Sequence, residues 1–181
     1  MKIRKTIQFL CYCTAVTAFL FATQAEAQTN PKLSDAEVAS VAVVANQIDI
    51  RYANIAKERS ANEEVKQFAQ TMINDHSAVI EQAAALAKKL GVTPKDNAVS
   101  QSLLKDADKT EKGLRSKSGK SFDKAYVDNE VNYHKAVIAA IEGLLIPETD
   151  NAELKSLLEN VLPAFKAHQG HAEMLQKKLS K

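Results

Sequence analysis

The chain has 181 residues, a formal net charge of +2 and 45% hydrophobic side chains. The slight basicity belongs to its first residues: without residues 1–27, 154 residues remain with 21 basic and 21 acidic side chains, which leaves no charge argument for nucleic acid or an anionic membrane as partner. Both cysteines, Cys11 and Cys13, lie in that same segment, so the remainder has no disulfide framework, no thiolate nucleophile and no Cys-based zinc or iron–sulfur site.

In chain order, Lys2, Arg4 and Lys5 precede an apolar run from Ile7 to Phe21, and Ala25-Glu26-Ala27 is an A-x-A cleavage box. This reads as a secretory signal peptide cut after Ala27, with a periplasmic or otherwise exported product. The run is short for a membrane span, which needs about 20 apolar residues. Residues 28–33 are expected as a disordered lead, and residues 34–181 as one domain of a length that suits a proper core.

Ser34 with Glu37 forms a capping box that starts a helix. Val38, Val41, Ala45, Ile48, Tyr52 and Ile55 then give one buried stripe, to about Glu58. Ser60 with Glu63 is a second box. The next stripe is Val65, Ala69, Met72, His76, Val79, Ala83, Leu86 and Leu90, with Gly91 as the stop and Pro94 beyond it. So short a connection makes the two helices antiparallel. Residues 98–117 read as a shorter amphipathic helix with a solvated, mixed-charge face, and "SKSGKS" breaks the chain.

A third long helix starts near Ser121 with a wide apolar face. Phe122, Tyr126, Tyr133, Val137 and Leu144 form one flank, and Val127, Val131, His134, Ile138, Ile141 and Leu145 the other. After the turn "IPETDN", Asp150 with Glu153 starts the last helix. Its stripe is Leu154, Leu158, Val161, Phe165, His168, Ala172, Leu175 and Leu179, with Pro163 inside as a source of bending. No segment shows period-two alternation. The fold class is all-α: four long helices with a shorter one in the connection between the second and third. That connection lets the second and third run the same way, as in ferritin-like bundles.

His76, His134 and His168 occupy stripe positions on three helices and so face one core. The neighbours of His76 one turn away are Met72, Ile73, Val79 and Ile80, none of which pairs with an imidazole, so its partner must lie on another helix. His134 has Glu130 one turn earlier. A rise of about 1.5 Å per residue, threaded through the ferritin-like order, puts Asp49, His76, Glu130 and His134 within a turn of one another and His168 about a turn away. His171, at i+3 from His168, can share an ion with it but sits on the flank of the stripe. Such a cluster either holds a transition metal (Fe, Mn, Zn or Cu) or forms a buried hydrogen-bond network that fixes register. The spacings are not those of a carboxylate di-iron centre: Ile73 and Phe165 stand three residues before His76 and His168, and Glu130 stands four before His134. A mononuclear His-rich site fits better.

Three stretches carry a resemblance: "FAQTMINDHSAVIEQAAALAKKLGV", "SFDKAYVDNEVNYHKAVIAAIE" and "LLENVLPAFKAHQGHAEML". They resemble the bacterial domain-of-unknown-function family 4142, mostly exported ferritin-like helical proteins. The match runs from about Ser34 to Leu179. It is specific at Asp75-His76, at Phe122-Asp123 with Tyr126 and His134, and at Leu162-Pro163 with His168. Family members often show a Glu on the first helix where this chain has Asp49. The resemblance implies the four-helix fold, an exported location and His76, His134 and His168 as the residues of interest, without a reaction. The sequence thus favours an exported binding protein, with a metal ion and a second copy of the chain as candidate partners. The other reading is a non-catalytic structural or stress-related envelope protein. No nucleophile–base set, phosphate loop or cofactor fingerprint points to an enzyme.

Overall fold

The computed structural model describes residues 32–180; the expected signal peptide and most of the lead lie outside the described residues. The described chain is all-helical: α1 Asp35–Arg59, α2 Glu63–Leu90, α3 Ala98–Arg115, α4 Gly119–Ala140, a π-helical stretch Ile141–Leu145 running into the single turn α5 Ile146–Glu148, and α6 Ala152–Leu179. Among the described residues no helix is long and apolar enough to cross a membrane.

The caps explain most of the boundaries. The Ser34 N–H donates to Glu37 Oε2 at 3.0 Å, closing the expected capping box. The second expected box does not form. Asn62 caps α2 instead, accepting from the N–H groups of Glu64 and Val65. Ser60 is released to donate to Asp123 Oδ1 at 2.6 Å, a buried bond between the end of α1 and the start of α4. At the last helix the cap shifts by one residue, to Asn151, which accepts from the N–H groups of Glu153 and Leu154. Gly91 takes a left-handed φ of 65° and ends α2, with the Val92 N–H reaching back to the Ala87 carbonyl. Pro163 sits inside α6, which continues through it. The domain also starts before Ser34: Leu33 is buried, and its N–H donates to Glu148.

Pairs of side chains fix the directions. Lys178 meets Glu64 and Lys89 meets Glu153, so α6 runs antiparallel to α2. Gln176 donates to Asp128 and Lys166 pairs with Glu142, so α6 is antiparallel to α4 as well. α2 and α4 therefore run the same way. α3 lies along the outside of α1 in the same direction, through Arg51–Asp108 and Arg115–Glu58. Such exposed pairs mark register and contribute little energy.

Burial of the apolar stripes supplies most of the stability. One cluster joins Ile48, Tyr52, Phe68, Met72, Phe122 and Tyr126; the other joins Val38, Val41, Ile138, Leu158, Val161 and Phe165. Each fully buried aliphatic or aromatic side chain contributes about 1.5–3 kcal/mol. Between the two clusters lies a layer of buried polar groups.

Candidate metal centre

α1 supplies Asn46 and Asp49 to this layer, α2 supplies His76, α4 supplies Glu130 and His134, and α6 supplies His168; all six are buried. The three imidazoles form a near-equilateral triangle. Their ring centroids are 5.6 Å apart for His76–His134, 5.4 Å for His76–His168 and 5.5 Å for His134–His168. One ring nitrogen from each lies within 4.8 Å of the others, and Asp49, Glu130 and His134 form a second group meeting the same limit. His168 was expected about a turn away. It lies level with the others, because the continuous α6 carries it to their height.

Each imidazole has one nitrogen whose role is fixed by its partner. The Asn46 Nδ2 donates to the Ala42 carbonyl at 2.8 Å, which leaves Asn46 Oδ1 to accept from His76 Nδ1–H at 2.7 Å. His134 Nδ1 lies 3.0 Å from the Glu130 backbone carbonyl, which can only accept, so that nitrogen also carries the proton. His168 Nε2–H donates to Asp75 Oδ2 at 2.9 Å. The remaining nitrogens, His76 Nε2, His134 Nε2 and His168 Nδ1, are buried and have no hydrogen-bond partner. In neutral imidazoles those three atoms carry lone pairs.

The carboxylates do not close the network. Asp49 Oδ2 is 3.6 Å from His76 Nε2 and 3.7 Å from His134 Nε2, beyond hydrogen-bond range. Both oxygens of Asp49 and both of Glu130 are buried without a partner. Burial pushes the Asp49 carboxyl up to about 8. Burial, reinforced by Asp49, pushes Glu130 well above its ordinary range. Burial drives His76 down to about 2, with His134 and His168 adding repulsion, and drives His134 down to about 4. Asp49, Glu130, His76 and His134 are thus held toward their neutral forms, and the layer is a set of under-satisfied donors of electron pairs. Nitrogen and oxygen atoms in this arrangement suit a borderline transition metal, and each imidazole is oriented by its other nitrogen as metal-ligating His residues are.

Of the six candidates from the sequence, the structure brings together His76, His134, His168, Glu130 and Asp49. It leaves out His171. Three residues along a helix is about 60° round its axis, and this turns His171 outward, where its exposed ring meets Phe68 edge-on at 5.0 Å. Sequence reasoning missed Asn46, Asp75 and Phe165 as parts of the site. The Phe165 ring lies 4.9 Å from His76, 6.2 Å from His134 and 6.0 Å from His168, and packs one side of the triangle. Asn46 and Asp49, three apart and each one residue past a stripe position, were the available signal. Substituting Asn46 by Leu is expected to cost about 1–3 kcal/mol, since it strands the buried His76 Nδ1–H. An unchanged urea midpoint in that variant would show that Asn46 does not hold the ring.

A family model described as Domain of unknown function (DUF4142) matches residues 20–175. No curated protein matches the sequence. Among solved structures, one described as "CopM in the Cu(II)-bound form" is similar, with a TM-score of 0.61 and 13% identity over 81% of this chain and 98% of that one. At that identity the likeness is one of fold.

Proposed function

The chain belongs to the DUF4142 family, and within it we propose that this protein holds one transition-metal ion in the buried layer, as an exported metal-binding protein. His76 Nε2, His134 Nε2 and His168 Nδ1 are the nitrogen ligands, and Asp49 and Glu130 supply carboxylate oxygens. One observation carries the reading: three imidazoles whose second nitrogens are already engaged each keep one unpaired, buried nitrogen, and one nitrogen of each ring lies within 4.8 Å of the others. A purely structural network would pair those atoms, because each unpaired one costs about 1–3 kcal/mol.

The bundle is read as ferritin-like, supported by the shared direction of α2 and α4 with α3 as the return connection. Export is supported by the A-x-A box after the apolar run. Copper(II) is the ion to test first. It stands highest among the divalent first-row metals for nitrogen and oxygen ligands, and the similar solved fold is described as Cu(II)-bound.

The test is a titration of the untagged protein with Cu(II) and Zn(II), with metal content measured after gel filtration. One tightly held equivalent of Cu(II) is expected. His168→Ala should abolish it, and His171→Ala should leave it intact. Loss of binding in both variants alike, or retention in both, would place the metal elsewhere and end the proposal.

A further inference from the structure

The fold carries a second feature that the metal reading does not use. A cavity of about 450 Å³ runs between the α1–α2 and α4–α6 pairs, from the bundle end to the polar layer. Its walls are aliphatic: Val79, Ala83 and Leu86 of α2 on one side, Leu154, Leu158 and Val161 of α6 on the other. This is why the later half of the α2 stripe is only half-buried, although its spacing continues that of the buried first half. The lining of α6 extends from Leu154 to Phe165, so the slot is about 16 Å long at the helical rise.

The two ends differ. The inner end is closed by Asn46, Tyr133 and Phe165. The polar atoms there are engaged, Asn46 with His76 and Ala42, and Tyr133 Oη–H with the Ala45 carbonyl. The outer end carries two charged residues, Asp35 and Lys88. Asp35 accepts from the N–H groups of Asp150 and Asn151 and is used up. The side-chain ammonium of the exposed Lys88 has no hydrogen bond or ion pair among the described residues.

We infer that this slot binds a single-chain fatty acid, with its tail directed toward Phe165 and its carboxylate on Lys88. An apolar chamber of this volume falls in the range of small-molecule sites. Its interior offers no spare donor or acceptor, which disfavours a polar or multiply charged ligand. A flexible hydrocarbon chain matches both the length and the aliphatic wall, and the one unpaired cation at the mouth matches a single anionic head. The inference stands on the cavity and does not depend on the metal.

Calorimetric titration of the full chain with dodecanoate tests it. Saturable binding of one molecule per chain is expected. Dodecyltrimethylammonium, with the same tail and the opposite head, should bind about tenfold more weakly or worse, and Lys88→Glu should weaken dodecanoate by a similar factor. Ala83→Trp, which fills the slot, should remove binding. Lys88 is exposed, so its variant keeps the test decisive if Ala83→Trp does not fold. Absence of saturable dodecanoate binding by the folded wild type overturns the inference. So does equal binding of the anionic and cationic probes. A wild type that dimerises at micromolar concentration and binds neither probe would give the slot to a second copy of the chain, and would also overturn it.

Discussion

Replacing His134 by alanine is expected to weaken Cu(II) binding by more than about 100-fold, the upper end of what loss of a supporting contact alone produces. His134 is the residue common to both groups of ligating side chains, so its removal takes a nitrogen from the triangle and the one imidazole from the Asp49–Glu130 pair. The metal-free fold should suffer much less, about 1–2 kcal/mol, because the cavity cost is offset by removing an unpaired buried nitrogen. The two effects separate in a melting experiment. Wild type with Cu(II) at about 100 times its dissociation constant gains ~2.7 kcal/mol, a rise of about 5–10 °C for a domain of this size. His134→Ala should show no metal-dependent rise. A variant that melts higher with Cu(II), by as much as wild type, would remove His134 from the site.

The metal-free protein should lose stability as pH rises above about 6.5. Two sets of groups pull in opposite directions. His76 and His134 have folded pKa values, about 2 and about 4, below the ordinary value of 6.5. Their contribution is present above 6.5 and declines as pH falls through the folded values. Asp49 and Glu130 are raised, Asp49 to about 8. Their contribution is present below the ordinary carboxylate range and declines as pH rises through the folded values. Between roughly pH 4.5 and 6.5 the slopes oppose, and stability should vary little. Above 6.5 His76 and His134 are neutral in both states, so of these four groups only the two carboxylates act. Asp49 then costs stability as pH rises toward 8, and Glu130 adds to the loss. Asp49→Asn keeps the shape and removes the titration, so it should flatten this limb. Bound Cu(II) should do the same, since it favours the ionised carboxylates, and its affinity should rise with pH as protons are displaced. Urea midpoints at pH 5, 6.5 and 8 check the argument; metal-free stability that climbs from 6.5 to 8 contradicts it.

That profile differs from what the histidines alone suggest, and the difference shows how far the sequence reaches. The stripes of α1, α4 and α6 are legible because a helix repeats every 3.6 residues, and His76, His134 and His168 stand at stripe positions. Asp49 and Glu130 are legible as neighbours in height. Their neutrality is not, because it depends on complete burial across several helices, and burial is a property of the packed bundle. The partners of the imidazoles are hidden for the same reason. Asn46 reaches His76 across 30 residues and Asp75 reaches His168 across 93. The caps at Ser60 and Asp150 were misplaced by one or two residues, since Asn62 and Asn151 are equally good acceptors and tertiary contacts chose between them.

The triangle of imidazoles also bears on how folding can be watched. The chain has no tryptophan, so the usual indole signal is missing. No fragment lacking α6 contains the triangle, whose corners come from three helices that are far apart in the chain. Bound copper would therefore be a clock for one event, the docking of α6 onto α2 and α4. Its visible absorption band would reach full strength only when the last long helix brings the third imidazole.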